Sequence, residues 1–159
     1  MIEDMKKEKT EVVYDNEMVL IFDAIGCNEA LARMTVMAFL TPLNPTMEEI
    51  ADVKTAVSEA VTNSIIHGYG GKEGKIHMLC RIQNHTLFVE ISDEGVGISD
   101  IAKAMEPTYT TRPELERSGM GFSFMEAFMD ELRVESEIGK GTVVYMAKTI
   151  VEHHGQTAN

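Results

Sequence analysis

Glu59, Asn63 and His67 recur at four-residue spacing near the middle of a 159-residue chain, so on a helix they stack along one face. Side chains of these types can do chemistry, yet most such rows on helices are only a solvated face. Two glycine-bearing breaks offer complementary chemistry. Asp93-x-Gly95-x-Gly97 sets a carboxylate beside backbone that a ligand can approach closely, and Gly119-x-Gly121 opens a helix whose free amides attract phosphate. Each signal alone has a plain alternative: a solvated helix face, a turn at a strand end, an ordinary helix start. Neither glycine pair is followed by Lys-Ser/Thr, so neither is a Walker loop, and the strand lysine and His-Arg-Asp loop of protein kinases are missing from the sequence.

The helix carrying the first set reads from about Thr46 to His67. Thr46 with Glu49 makes a capping-box pattern, Pro45 discourages helix further back, and Gly68 with Gly70-Gly71 supplies the stop. Ile50, Val53, Val57, Ala60, Val61 and Ile65 define a buried stripe. Periodicity assigns the Glu59 face to solvent, yet Ile66 on that same side argues that something covers it.

Upstream, Met18 to Asp23 reads as a strand, and Asn28 as the N-cap of a helix from Glu29 to Leu40 that ends in the Pro42/Pro45 segment. Leu31, Met34 and Met37/Ala38 are expected to pack inward, with Arg33 outward. Downstream, Lys75–Ile82 and Thr86–Ser92 alternate as a hairpin with one covered face. Residues Ile98 to Ser118 read as irregular, and Ser118-Gly-Met-Gly121 leads into a helix to about Glu131 with Phe122, Met125, Phe128 and Met129 on its apolar side. Leu132–Glu137 and Thr142–Thr149 close a second hairpin around Gly139-Lys-Gly141. This order predicts an α+β two-layer sandwich with helices on one face of a mixed sheet. The expected division is a flexible N-terminal extension at 1–15, a single domain at 16–151 and a polar tail at 152–159.

A formal net charge of −12 argues against direct nucleic-acid binding, which needs a basic surface. Acidity is otherwise compatible with simple solubility or with docking onto a basic protein. No apolar run approaches membrane-spanning length and the start is charged, so no membrane association and a cytoplasmic location are expected. Cys27 and Cys80 lack metal-ligand spacing and read as buried thiols.

Together, a helix bearing Glu59 and Asn63, then Asp93-x-Gly95-x-Gly97, then Gly119-x-Gly121 resembles the GHKL ATPase superfamily of gyrase-type ATPases, chaperones and histidine kinases. Ser58-Glu-Ala-Val-Thr-Asn63 with Ile66-His-Gly-Tyr69, Asp93-Glu-Gly-Val-Gly97 and Pro113-Glu-Leu-Glu-Arg-Ser-Gly-Met-Gly-Phe122 resemble, more closely, the anti-sigma F factors of spore-forming bacteria, over roughly residues 16–151. The first fifteen or so residues fall outside the likeness, and Arg112 stands where a lysine is common.

The resemblance implies a Bergerat-type ATP-binding fold that uses ATP and Mg2+. Asn63 would ligate the magnesium, Asp93 would accept from the adenine amino group, and Gly95 and Gly97 would let the base lie against backbone. Thr142 would complete the base pocket through water. Ser118, Gly119, Met120 and Gly121 would wrap the phosphates with Arg117, under a lid from about Glu106 to Ser118 that includes Thr110 and Thr111. Glu59 would be the general base, Arg117 a second catalytic group, Arg33 part of a partner-binding surface, and His67 structural. The implied activity is that of a serine kinase that sequesters sigma factor F and phosphorylates an anti-anti-sigma protein, acting as a homodimer. The alternative is a nucleotide-dependent sigma-binding module with little or no kinase activity. The ATPase part of a histidine kinase or chaperone fits poorly, since 159 residues leave no room for a phosphoacceptor or transducer domain.

Overall fold

The structure is a computed structural model that describes residues 13–106 and 121–152. In chain order its elements are β1 (Asn16–Asp23), α1 (Asn28–Leu40), α2 (Met47–Asn63), β2 (Lys75–Gln83), β3 (Thr86–Asp93), the short α3 (Ile101–Ala104), α4 (Gly121–Phe128), β4 (Glu131–Glu137) and β5 (Gly141–Thr149). Among the described residues the sheet has five strands in the order β1-β2-β3-β5-β4. The two-layer α+β architecture is the expected one, but the sheet is not mixed: all four pairings are antiparallel. Parallel neighbours need a crossover that returns the chain in the same direction. Here two hairpins supply β2–β3 and β4–β5. The first helical excursion returns β2 antiparallel beside β1. The second carries the chain to β4, one strand removed from β3, so that β5 pairs antiparallel between them.

Local chemistry accounts for most boundaries. The β2–β3 turn places Asn84 and His85 at φ +48° and +63°, the left-handed pair that a two-residue hairpin loop demands. Both capping-box bonds at the start of α2 are present: the Thr46 hydroxyl accepts from the Glu49 amide (3.1 Å) and the Glu49 carboxylate accepts from the Thr46 amide (2.9 Å). Val53, Ala56, Val57, Ala60 and Val61 are fully buried against the sheet, whereas the expected Ile50 and Ile65 are half-buried.

Three local expectations are corrected. Asn28 does not cap α1: the helix starts one residue earlier than expected, and the Asn28 side-chain amide instead donates to the Asp23 carbonyl (2.9 Å), closing the turn from β1. The buried stripe of α1 is Ala32, Val36 and Leu40, while Leu31, Met34 and Ala38 are exposed; the helix turns this second apolar stripe, rather than the bulkier one, toward the core. Cys27 is exposed, while Cys80 is buried on β2 with its thiol pushed up to about 12 by desolvation.

The regular helix of α2 also stops at Asn63 rather than reaching His67. Ser64–Gly68 form a π turn in which the Tyr69 amide donates to the Ser64 carbonyl (2.9 Å). Such wide turns concentrate at functional sites. The helix between Gly121 and the sheet is three residues shorter than expected, ending at Phe128, with Phe122, Met125 and Met129 buried as the pattern predicts.

Candidate functional site

A cavity of about 520 Å³ opens where the end of α2, the π turn, the loop after β3, α4 and the β4–β5 turn converge. Its floor is Asp93, the last residue of β3, whose side chain is 8% exposed in total. One carboxylate oxygen accepts from the Ser64 hydroxyl (2.8 Å) and the other from the Gly95 amide (2.9 Å). Burial raises the Asp93 pKa, with the bonds from Gly95, Ser64 and the Thr142 backbone working against that shift. Thr142, also buried, is the cross-strand partner of Asp93 in the β3–β5 register and lines the cavity.

The loop after Asp93 is locked to the π turn and to the β4–β5 turn by contacts that exclude side chains. A Cβ on Gly95 would lie 2.2 Å from the Gly68 carbonyl oxygen, to which the Val96 amide donates (2.9 Å). Gly97 adopts φ +79°, and a Cβ there would meet the Glu137 carbonyl oxygen at 2.3 Å. The Gly139 amide donates to the Val96 carbonyl (2.9 Å), so the two turns hold each other. Tyr69 braces the same corner, its hydroxyl accepting from the Glu94 amide (2.8 Å) while donating to the Lys75 carbonyl.

At the other end, Asn63 lines the cavity beside Gly121, the first residue of α4. A Cβ on Gly121 would sit 3.1 Å from both polar atoms of the Asn63 amide and 3.4 Å from a Glu59 carboxylate oxygen. The Glu59–Asn63 pair, one helical turn apart, and the sequence-distant Gly121 therefore meet at one point. Glu59 reaches that point from outside the cavity wall, whereas His67, expected to be structural, is itself in the wall. Ala60, Ile98, Phe122 and Val144 supply apolar lining between the two ends.

This arrangement has the features of a nucleotide site. A buried carboxylate that accepts hydrogen bonds from Ser64, Gly95 and the Thr142 backbone still has a lone pair to offer an N–H donor, and apolar walls suit a flat ring. Magnesium prefers hard oxygen ligands and takes only one or two from protein when phosphates supply the rest. The Asn63 amide oxygen, beside the bare Cα of Gly121, fits that requirement. Among the described residues no group of three or more His, Cys, Asp or Glu could hold a metal alone.

Thr110, Thr111, Arg117, Ser118, Gly119 and Met120, with all of the expected lid except Glu106, lie outside the described residues. Arg33 is not in the cavity wall. It is partly buried on α1, paired to Glu29 at 3.2 Å, while the other Glu29 oxygen accepts from the Thr62 hydroxyl (3.5 Å). Sequence reasoning passed over Ser64. It directly follows Asn63, but only the π turn shows that it reaches Asp93.

Residues 28–148 match the family described as the histidine kinase-like ATPase domain. The fold also superposes on a crystal structure of the RsbU and RsbW domains of Rv1364c from Mycobacterium tuberculosis with a TM-score of 0.63, at 20% identity, over 85% of this chain and 32% of that one. The family match and the fold thus define a GHKL-type, histidine kinase-like ATPase domain. More specifically, the chain is 58% identical over 134 residues to the anti-sigma F factor of Clostridium acetobutylicum, covering 84% of this chain and 94% of that relative. It is 53% identical over 138 residues to the anti-sigma F factor of a Geobacillus species, covering 86% and 94% respectively. The chain belongs to the anti-sigma F factor family.

Proposed function

We propose that the chain is a Mg2+- and ATP-dependent serine kinase that also sequesters the sporulation sigma factor F, and that its phosphoacceptor is a serine of an anti-anti-sigma protein. The observation that carries this reading is the division of the cavity: Asp93 closes one end, while Glu59 and Asn63 converge on Gly121 at the other. The names of the relatives support the sigma factor as partner.

The base would lie on Gly95 and Gly97, with its amino group donating to Asp93, and the phosphates would extend toward the start of α4. Asn63 would hold the magnesium, whose charge offsets that of the phosphates when bound. Glu59 takes the proton of the incoming serine hydroxyl as its oxygen attacks the γ-phosphorus. The bond from that phosphorus to the β,γ-bridging oxygen breaks, and ADP leaves with the electron pair. Arg117 and residues 118–120 would complete the phosphate shell. Arg33 would present its charge to the sigma factor or the antagonist. Exposed apolar Val19 and Ile21 on edge strand β1 and Met34 on α1 support a second copy of the chain as partner in a homodimer.

The test is a mixture of the protein, Mg·ATP and a candidate antagonist, followed by serine phosphorylation. E59Q should retain ATP binding and lose transfer by on the order of 10²- to 10⁴-fold, the usual contribution of a general base. Normal labelling by E59Q rules out that role. N63A should lose the magnesium-dependent part of nucleotide affinity in calorimetry, and R33E should weaken binding of sigma or antagonist with ATP affinity intact. A wild-type chain that binds ATP and sigma yet never labels an antagonist would instead be a nucleotide-dependent binding module.

A further inference from the structure

Ser136 lies on β4 opposite Thr142, on the cavity side of the hairpin but outside the cavity wall. Its hydroxyl oxygen meets three groups: the Ile98 amide at 2.7 Å, the Gly141 carbonyl at 2.9 Å and the Thr142 hydroxyl at 2.8 Å. A hydroxyl has one proton and two lone pairs. The Ile98 amide can only donate and the Gly141 carbonyl can only accept. One arrangement satisfies all three contacts: the Ser136 proton goes to Gly141, and Thr142 donates its own proton to the lone pair that Ile98 leaves.

Thr142 then has no hydroxyl proton for the cavity and offers lone pairs alone. Beside it, across the β3–β5 register, the Asp93 carboxylate is held by Ser64 and Gly95 and is likewise an acceptor. The floor is therefore acceptor-only along this edge. A 6-aminopurine brings an N–H2 group to such a surface, whereas a 6-oxopurine brings an oxygen whose lone pairs would face more lone pairs.

We propose that Ser136 is a positioning residue that fixes Thr142 as an acceptor and thereby sets the preference of the floor for 6-aminopurine over 6-oxopurine nucleotides. The proposal rests on the nucleotide-site reading and adds a residue to it. The tie from Ser136 to Ile98 and Gly141 also steadies the loop, so Ser136→Ala should weaken every nucleotide to some extent. The distinguishing readout is the ratio of affinities, because loosening the loop lowers both while a freed Thr142 proton facing position 6 of the base helps only the 6-oxopurine.

The experiment is calorimetry of the full chain with ATP and with inosine triphosphate, which differs from ATP only at the amidine edge of the base. S136A should narrow the preference for ATP by about tenfold, the size of one mispaired buried polar contact, and S136T should restore it. In a T142V background, S136A should leave the ratio unmoved, since Ser136 acts through Thr142. Equal losses for ATP and inosine triphosphate in S136A would make Ser136 a loop tie and overturn the proposal. So would a T142V chain that kept the full wild-type preference. If S136A fails to fold, S136C, close in size but a weak acceptor, is expected to show the same narrowing. A wild-type chain that bound neither nucleotide would sink the site reading itself, and the proposal with it.

Discussion

At the Asp93 end of the cavity the walls touch backbone to backbone, whereas at the Asn63 end side chains meet a bare Cα. Gly95 rests on the Gly68 carbonyl, Gly97 on the Glu137 carbonyl, and Val96 bonds to both turns. Around Gly121 the neighbours are side-chain atoms, the amide of Asn63 and the carboxylate of Glu59, rather than main chain. The contrast matches two kinds of work. Reading a flat base requires acceptors that do not shift, since close-packed backbone transmits any displacement. Handling phosphates, a metal and an incoming hydroxyl requires groups that can adjust as charge moves.

The largest effect separating the two ends is expected from Gly95→Ala. The added methyl would stand 2.2 Å from the Gly68 oxygen, with main chain on both sides and no flexible atom to yield. Overpacking of this kind costs about 3 kcal/mol, which denaturant unfolding would register as a lower midpoint at unchanged slope. Nucleotide affinity should fall too, because the loop and the π turn that hold Asp93 would be forced apart. An unchanged midpoint would mean that the Asp93 end is not interlocked.

How much of this could be read beforehand follows from how local each cause is. The capping box of α2, both hairpins and the apolar side of α4 are legible because period and turn chemistry act over a few residues. The π turn is not, since nothing in Ser64-Ile-Ile-His-Gly68 distinguishes it from a helix end until Asp93 and Val96 pack against it. In α1, two apolar stripes share the helical period, and only packing against α2 selects Ala32 and Val36 over Leu31 and Met34. Asp93 and Asn63 became interpretable through their combination with the glycines. Ser64 and Ser136 stayed silent because an ordinary serine gains meaning from partners 29 and 38 residues away.

The next effect is a pH dependence confined to the Asp93 end. Burial raises the Asp93 pKa above its ordinary 3.8, more than Gly95, Ser64 and Thr142 lower it. Nucleotide binding needs the ionised acceptor, so affinity should fall on acidification at a pH above the usual carboxylate range, by up to roughly tenfold per pH unit. Stability runs the other way. The folded state holds this proton more tightly than the unfolded one, so Asp93 favours folding at low pH and that contribution is lost as pH rises through the folded pKa. Asp93→Asn should flatten both responses in titrations of affinity and of unfolding midpoint. A fall in affinity on acidification that Asp93→Asn left unchanged would show that Asp93 is not the acceptor.

The smallest expected change in stability, and the sharpest test of the comparison, is Gly121→Ala. The new methyl would lie 3.1 Å from the Asn63 amide and 3.4 Å from Glu59, so these side chains need to move by only a few tenths of an ångström. Alanine also favours a helix over glycine by up to about 1 kcal/mol, and Gly121 opens α4. The two terms oppose, and the unfolding midpoint should stay within about 1 kcal/mol of wild type. Magnesium-dependent nucleotide affinity should nevertheless drop, because the displaced amide is the one assigned to the ion. If Gly121→Ala instead destabilised the chain as much as Gly95→Ala, the Asn63 end would be as rigid as the floor, and adjustable side chains could not be what distinguishes it.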